Sequence, residues 1–145
     1  MPNSFAALEI LPLCFSITRK IVFFSTALKL VALAATSSIA AIRGNSFAPA
    51  YSASKAYMST YMEGLYIKAG RLKLPLYITD IQPGFVKTNM AKGPGQFWVS
   101  SVEKAAQQIY RAIKNRKRKV YITKRWWLIA KLMSIIPIFI YKKIG

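Results

Sequence analysis

Apolar runs separated by Gly, Pro and charged residues divide the chain into alternating strands and helices. Residues 29–36, KLVALAAT, form a nearly unbroken apolar run, which is typical of a parallel strand buried on both faces. Residues 74–82, LPLYITDIQ, are rich in β-branched and aromatic side chains and lead into a Pro-Gly pair, so they predict a second strand. Residues 119–123, KVYIT, predict a short third strand.

Helical spacing marks the segments between these strands. Residues 50–69 predict a helix that ends near Gly70, with residues 84–98 as a long loop after the second strand. Ser101 predicts the N-terminal cap of another helix that runs through Lys114. The side chains spaced for one side of the first helix are Tyr51, Lys55, Met58, Met62, Leu65 and Tyr66. The apolar stripe of the second helix is Ala105, Ile109, Ala112 and Ile113. This order of strands and helices predicts an α/β fold with a parallel sheet and crossover helices.

The amino-terminal third permits more than one interpretation. Residues 4–15 predict a buried helix. Residues 21–42 carry Lys29 as their only charge, and this stretch of 22 residues is also long enough to cross a bilayer. We favour the strand at 29–36, because a strand-helix-strand order follows it. Residues 16–30 are longer and more irregular than a connection between a helix and a strand requires.

The composition excludes several classes of enzyme. The 145 residues, 54% of them apolar, suffice for one domain with a core. The chain has no His, so a Ser-His-Asp or Cys-His apparatus cannot be built, and the single Cys14 leaves a zinc site without ligands. The four acidic residues are scattered, which disfavours a paired-carboxylate glycosidase and predicts no metal site. They are Glu9, Glu63, Asp80 and Glu103.

Charge and cysteine content indicate compartment and partners. Cys14 cannot form an internal disulfide, and the first basic residue, Arg19, lies too late for a cleavable secretion signal. Both observations predict a cytoplasmic protein. The 22 Lys and Arg outnumber the 4 acidic residues, and the net charge of +18 favours anionic partners such as phosphates or acidic lipid headgroups.

A tyrosine and a lysine lie four residues apart at Tyr51 and Lys55, which puts both on one face of a helix. A free phenol has a pKa near ~10, too high for a base at neutral pH, and a neighbouring ammonium favours its ionised form. The pair is therefore a candidate proton donor and acceptor. Tyr110 and Lys114 have the same spacing but lie on a basic helix, so we expect them to be an ordinary surface pair.

Three signals in order resemble one known family. Ser38 lies thirteen residues before Tyr51 of the YSASK segment, and IQPGFVKTNM follows at 81–90. This arrangement is similar to the catalytic half of the short-chain dehydrogenase/reductase family, from about residue 30 to 125. The resemblance implies a partial Rossmann-like domain over 1–125, the carboxyl-terminal half of a doubly wound fold, whose dinucleotide-binding half is missing.

The resemblance also implies a reaction and roles for individual residues. The reaction would interconvert a small-molecule carbonyl and alcohol with NAD or NADP as cofactor. Tyr51 would be the general acid/base, Lys55 would favour its ionised form and hold the nicotinamide ribose, and Ser38 would hydrogen-bond the substrate oxygen. The segment contacting the nicotinamide end would contain Pro83, Gly84, Val86 and Thr88. Family members often pair through the tyrosine-bearing helix, so a homodimer is expected.

Several features depart from the family pattern or allow simpler roles. The simpler role for Ser38 is to cap or terminate a strand, and the simpler role for Thr88 is to cap a turn. The family's relay asparagine has no convincing counterpart, since the preceding helix offers only Asn3. The glycines form no G-x-G-x-x-G turn, so we expect weak dinucleotide binding and impaired activity of the chain alone.

The tail over 126–145 is both basic and apolar, with a predicted helix broken or bent at Pro137. Residues 126–141 contain one charge, Lys131, and are too short to span a bilayer. Tryptophans beside basic residues suit a membrane interface, so we predict a peripheral anchor on an anionic membrane. The alternative is a helix packed on the body or on a partner subunit. Nucleic acid is disfavoured because the tail is too apolar for a solvated arm. A non-catalytic membrane-associated protein is the second functional hypothesis.

Overall fold

The computed structural model describes residues 21–25, 31–88 and 96–143. These residues form a four-stranded sheet in the order β1-β2-β3-β4. The strands are β1 (Ile21–Ser25), β2 (Val31–Thr36), β3 (Leu76–Pro83) and β4 (Lys119–Ile122). Strands β2, β3 and β4 run parallel, and β1 pairs antiparallel with β2. The fold is therefore α/β with a parallel three-strand core, as the hydrophobic pattern predicted.

Strand β1 is the element that the sequence pattern did not predict. It lies within the irregular stretch 16–30, and its register pairs Ile21 with Ala35 and Ser25 with Val31. The alternative of a bilayer-spanning helix over 21–42 is wrong, because this stretch contains two paired strands. Within the described ranges, no helix has the length and apolar content to cross a membrane. The helix predicted over 4–15 lies outside the described residues.

Over residues 31–88 and 96–143, four helices and a 3-10 turn accompany the sheet. The turn at Ile39–Ala41 follows β2, and the helices are α1 (Pro49–Arg71), α2 (Val102–Lys114), α3 (Trp126–Ile135) and α4 (Ile138–Tyr141). Pro49 begins α1 at a position where its missing N–H costs nothing. The Ser101 side chain accepts a hydrogen bond from Lys104 N and caps α2 as predicted. Pro137 separates α3 from α4, so the predicted break is confirmed.

Helices α1 and α2 pack on opposite faces of the sheet. Alternation along β2 sends Leu33 and Ala35 toward α1 and Ala34 toward α2. The α1 side contains Leu33, Ala35, Met58, Met62, Ala69 and Ile78. The α2 side contains Ala34, Ile81, Ala105 and Ile122. Burial on both faces explains why β2 is apolar nearly throughout.

The predicted faces of the two helices are correct in part. Met58 and Met62 are buried, and Leu65 packs against them, but Tyr51 and Tyr66 are exposed. Helix α1 instead buries the small residues Ser52, Ser59 and Ala69, which let it lie close to the sheet. The predicted stripe of α2 is confirmed, since Ala105 and Ala112 are buried and Ile109 and Ile113 pack against the core.

Candidate active site

The carboxyl end of β2 carries Ser37 and Ser38. Ser37 N donates to Ile81 O at 2.8 Å, which holds this end of β2 against β3. The Ser38 hydroxyl accepts from Ala40 N at 3.2 Å and caps the 3-10 turn. Ser38 therefore follows the end of β2 and has a structural role as the cap of the next turn, a role that the sequence did not predict. A hydroxyl that accepts one hydrogen bond keeps its own proton to donate, so the capping bond leaves the Ser38 hydroxyl able to act as a donor.

Asn45 fixes the start of α1. Its Oδ1 accepts from Ala48 N at 2.7 Å, and its Nδ2 donates to Ser52 Oγ at 2.9 Å. These bonds supply the capping that Ala48, the residue before the helix, cannot provide with its own side chain. Tyr51 follows in the first turn, where its side chain is 42% exposed. The phenol is therefore accessible from solvent at the end of the sheet where β2 terminates.

Lys55 connects α1 to the carboxyl end of β2. Its Nζ donates to Thr36 O at 3.2 Å and lies 5.6 Å from the centroid of the Tyr51 ring. Thr36 is the last residue of β2, two positions before Ser38, and the turn that Ser38 caps packs against α1. The structure thus brings Tyr51 and Lys55 together and holds the Ser38 turn against the helix that carries them.

Behind this edge lies a buried polar network that the sequence analysis missed. The Asp80 carboxylate, 3% exposed, accepts from Ser37 Oγ, from Ser59 Oγ at 2.6 Å and from Gln82 Nε2 at 2.9 Å. Lys119 Nζ lies 3.9 Å from Asp80 Oδ2. The network joins β2, β3, β4 and α1 immediately next to Ser38. A charged residue in the middle of an otherwise uncharged strand was the signal that could have revealed it.

Burial and the negative charge of Asp80 both affect the pKa of Tyr121, which lies in β4. Burial of its half-buried side chain raises the pKa of Tyr121 above its ordinary value, and the negative charge of Asp80 raises it further. Both causes disfavour the phenolate. Tyr121 therefore stays neutral through the pH range in which the chain would carry out proton transfer.

The segment after β3 bends against α3. Gly84 N donates to Ile122 O at 2.6 Å, and a Cβ at Gly84 would lie 2.0 Å from Trp126 Nε1. Only glycine permits this approach of the indole. Phe85 and Phe97 also contact Trp126, with ring centroids 5.5 Å and 5.0 Å away. Gly84 of the Pro-Gly pair is therefore needed in this chain because it leaves room for the Trp126 side chain.

Of the other three residues of the predicted nicotinamide segment, two lie further along the same loop. Val86 pairs with Ser100 in a short parallel bridge, and Lys87 N donates to Ser100 O at 2.9 Å. Thr88 is exposed and is the last described residue before 89–95. Pro83 pairs with Ile122 at the end of β3. Ser38 and Pro83 therefore follow neighbouring parallel strands and lie at the same edge of the sheet.

The second tyrosine-lysine pair behaves as an ordinary surface pair. Tyr110 is 66% exposed on α2, and Lys114 at the last position of that helix is exposed as well. Spacing alone therefore does not distinguish the two pairs. The position of Tyr51 at the carboxyl edge of β2 does.

Comparisons with known proteins give a match at the level of structure. The sequence matches no family model and no curated protein. The fold is similar to a crystal structure of a short chain dehydrogenase from Mycobacterium paratuberculosis bound to NAD, with a TM-score of 0.52 and 18% identity. The alignment covers 64% of this chain and 44% of the other, so this chain spans less than half the length of that neighbour. The chain therefore has an α/β, Rossmann-like fold similar to that of a short-chain dehydrogenase.

Proposed function

We propose that the chain is an NAD(P)-dependent oxidoreductase that interconverts a small carbonyl compound and its alcohol. The observation that carries the proposal is the position of Lys55 Nζ, bonded to Thr36 O and 5.6 Å from the Tyr51 ring. In open α/β sheets, ligands bind outside the carboxyl ends of the strands, where this pair lies. The structural neighbour, a dehydrogenase bound to NAD, supports the same reaction class.

Tyr51 has the role of general acid and base in this proposal. During reduction its hydroxyl gives a proton to the carbonyl oxygen, and during oxidation the phenolate takes the proton from the alcohol. The Lys55 ammonium stabilises the phenolate by charge attraction. Ser38 donates its hydroxyl proton to the substrate oxygen and stabilises the developing alkoxide.

The residues at this edge fit the nicotinamide end of NAD or NADP. The Lys55 ammonium and the exposed Tyr51 phenol are suitable hydrogen-bond partners for ribose hydroxyls. The bound cofactor would supply or accept the hydride. Pro83, Gly84, Val86 and Thr88 would line the nicotinamide end. Since the sequence contains no G-x-G-x-x-G turn for the pyrophosphate, we expect weak affinity for the dinucleotide.

The test compares two tyrosine variants with the same change and the same lysine spacing. The chain is incubated with NADH or NADPH and a panel of aldehydes and ketones, and loss of the reduced cofactor is followed by absorbance. Tyr51→Phe removes the proton donor, so we expect turnover to fall by about 10²-fold or more. Tyr110→Phe, on the exposed pair of α2, should leave turnover unchanged. Equal turnover in wild type and Tyr51→Phe, or no consumption of either cofactor by wild type, would contradict the proposal.

A second candidate function is that of a membrane-associated protein without catalysis. The exposed apolar side chains of α3 and α4 favour it, among them Leu128 and Phe139. The two functions differ in one outcome. If the protein is membrane-associated without catalysis, Tyr51→Phe and wild type behave alike in every assay. Loss of the exposed apolar side chains of α3 and α4 then changes how the protein partitions between membrane and solution.

A further inference from the structure

Helices α3 and α4 carry a group of exposed apolar side chains that lie close together along the chain. On α3, Trp126 and Ala130 face inward and are buried. Six outward side chains, between 54% and 69% exposed, form what we call the tail patch: Trp127, Leu128, Leu132, Ile135, Ile138 and Phe139. Scattered exposed apolar residues are ordinary, but a contiguous group of this kind marks an interaction surface.

The tail patch is held in place from the body of the protein. Arg43 Nη1 donates to Met133 O at 3.1 Å and also to Ile136 O, so it satisfies carbonyl groups at the end of α3. The Arg43 guanidinium lies 4.7 Å from the Tyr141 ring centroid, which fixes α4 as well. Arg43 follows the 3-10 turn that Ser38 caps. The patch is thus preorganised beside the loop that leaves β2.

Positive charges surround the tail patch. Lys124 and Arg125 precede α3, Lys131 lies within it, and Lys142 and Lys143 follow α4; all five are exposed. No Asp or Glu occurs after Glu103 in the sequence. An apolar centre with a purely cationic border is complementary to a surface of hydrocarbon and negative headgroups. A protein partner would match this surface only if it carried acidic side chains against all of these cations, whereas an anionic membrane presents negative headgroups over its whole area.

The length of the elements decides how the patch meets a lipid surface. Helix α3 has 10 residues, about 15 Å of helix, which is half the thickness of the hydrocarbon core. The bend at Pro137 and the contacts of Arg43 prevent α3 and α4 from joining into one longer helix. A surface of this kind lies in the interfacial plane, with Trp127 at headgroup depth.

We propose that the tail patch docks the protein flat on an anionic phospholipid membrane, with the apolar side chains in the interface and the five cations against the headgroups. The docking surface is the same whether or not the chain is an oxidoreductase, so the inference does not rest on the proposed catalysis. Because Arg43 joins the patch to the Ser38 turn, docking holds the carboxyl edge of β2 beside the membrane.

The test measures partitioning of the purified chain onto vesicles by co-sedimentation. Vesicles of phosphatidylcholine alone are compared with vesicles that also contain phosphatidylserine, at low and at high salt. We expect binding about tenfold tighter or more to the anionic vesicles, weakened by salt. Trp127 should shift its fluorescence to shorter wavelength on binding, and Trp127→Phe should remove that shift while Trp98 and Trp126 remain.

Two pairs of variants separate the apolar and the cationic contributions. Ile138→Ser with Phe139→Ser should lower binding to anionic vesicles about tenfold or more. The matched control, Val102→Ser with Tyr110→Ser, removes exposed apolar side chains from α2 and should leave binding unchanged. Lys142→Gln with Lys143→Gln should lower binding, whereas Lys114→Gln with Lys117→Gln, of equal charge change, should have a smaller effect. Circular dichroism checks that every variant is folded.

Several results would overturn the proposal. Equal binding to neutral and anionic vesicles would remove the role of the cations, and unchanged binding of the Ile138→Ser, Phe139→Ser variant would remove the role of the patch. If sedimentation velocity shows a dimer that this variant converts to monomer, the patch is a subunit interface and the lipid assignment is wrong. Turnover measurements enter none of these outcomes, so failure here is distinct from failure of the oxidoreductase proposal.

Discussion

At the scale of single residues, Asp80 determines how the end of β2 is held. Its carboxylate is buried and accepts hydrogen bonds from Ser37, Ser59 and Gln82, with Lys119 nearby. A buried carboxylate is stable only when such donors replace its water shell. The Ser37 hydroxyl donates a hydrogen bond to Asp80, and the Ser37 backbone N–H donates to Ile81 O of β3. The position of the adjacent Ser38 therefore depends on this network.

Replacing Asp80 with alanine should therefore destabilise the fold strongly. The change leaves buried donors without an acceptor, and we expect the free energy of unfolding to fall by about 3–5 kcal/mol. Urea unfolding measures it. Glu63→Ala is the control, because Glu63 pairs with Arg118 at the surface and its loss should cost less than about 1 kcal/mol. Losses of equal size would show that the Asp80 network does not stabilise the fold.

Gly84 and Trp126 form a second pair whose contact can be tested. A Cβ at Gly84 would lie 2.0 Å from Trp126 Nε1, and the indole is 4% exposed. We expect Gly84→Ala to destabilise the protein by about 1–3 kcal/mol, because the indole must leave its site. In a double-mutant cycle, Gly84→Ala should destabilise the Trp126→Leu variant less than it destabilises wild type. The difference between the two losses of stability should exceed about 0.5 kcal/mol. Additive effects in that cycle would contradict the contact.

At the scale of elements, the pairing of β3 with β4 carries a dependence on pH. Gln82 pairs with Tyr121, and burial followed by the charge of Asp80 raises the pKa of Tyr121. In the unfolded chain the phenol has its ordinary pKa, about 10. Between that value and the higher folded pKa, the folded state holds the proton more tightly than the unfolded state. The contribution of the protonated Tyr121 phenol to the free energy of unfolding is therefore complete below about pH 10. It is lost as pH rises through the pKa of the folded state.

Tyr121→Phe should remove this loss. Measured by urea unfolding, the stability of wild type should fall as pH rises above about 10, and the stability of Tyr121→Phe should fall less, because the variant has no phenolate in the folded state. Tyr110→Phe serves as the control, since Tyr110 is well exposed on α2. The same alkaline slope for wild type and Tyr121→Phe would show that Tyr121 is not the group responsible.

At the scale of the whole molecule, the loop that follows β2 connects the candidate active site with the tail patch. The Tyr51–Lys55 pair lies on one side of the loop that follows this strand, and Arg43 on the same loop holds the tail. Salt should affect the two surfaces differently, because exposed cations at the tail are screened whereas the bond of Lys55 to Thr36 is local. The net charge of +18 should therefore affect the proposed membrane docking far more than the proposed chemistry.

Local pattern was sufficient to predict most of the elements and one feature of the site. The boundaries of β2, β3, β4, α1 and α2 agree with the sequence expectations to within a few residues, because burial period and capping are short-range properties. The proximity of Tyr51 and Lys55 follows from their spacing on a helix. Pro137 ends α3 because it lacks the N–H that a continuing helix needs.

Tertiary structure alone decided the features that join distant residues. Strand β1 is defined by its pairing with β2: its residues IVFFS are β-branched and aromatic, but the irregular stretch 16–30 that contains them did not lead us to predict a strand there. Ser37 and Asp80 are separated by 43 positions, and Arg43 and Met133 by 90. No pattern within a short window encodes such contacts, because they depend on which faces of the sheet and helices come together. The sequence by itself determined most of the elements, β1 excepted, and the proximity of a phenol and an amine. Packing decided what surrounds that pair and which apolar side chains stay outside.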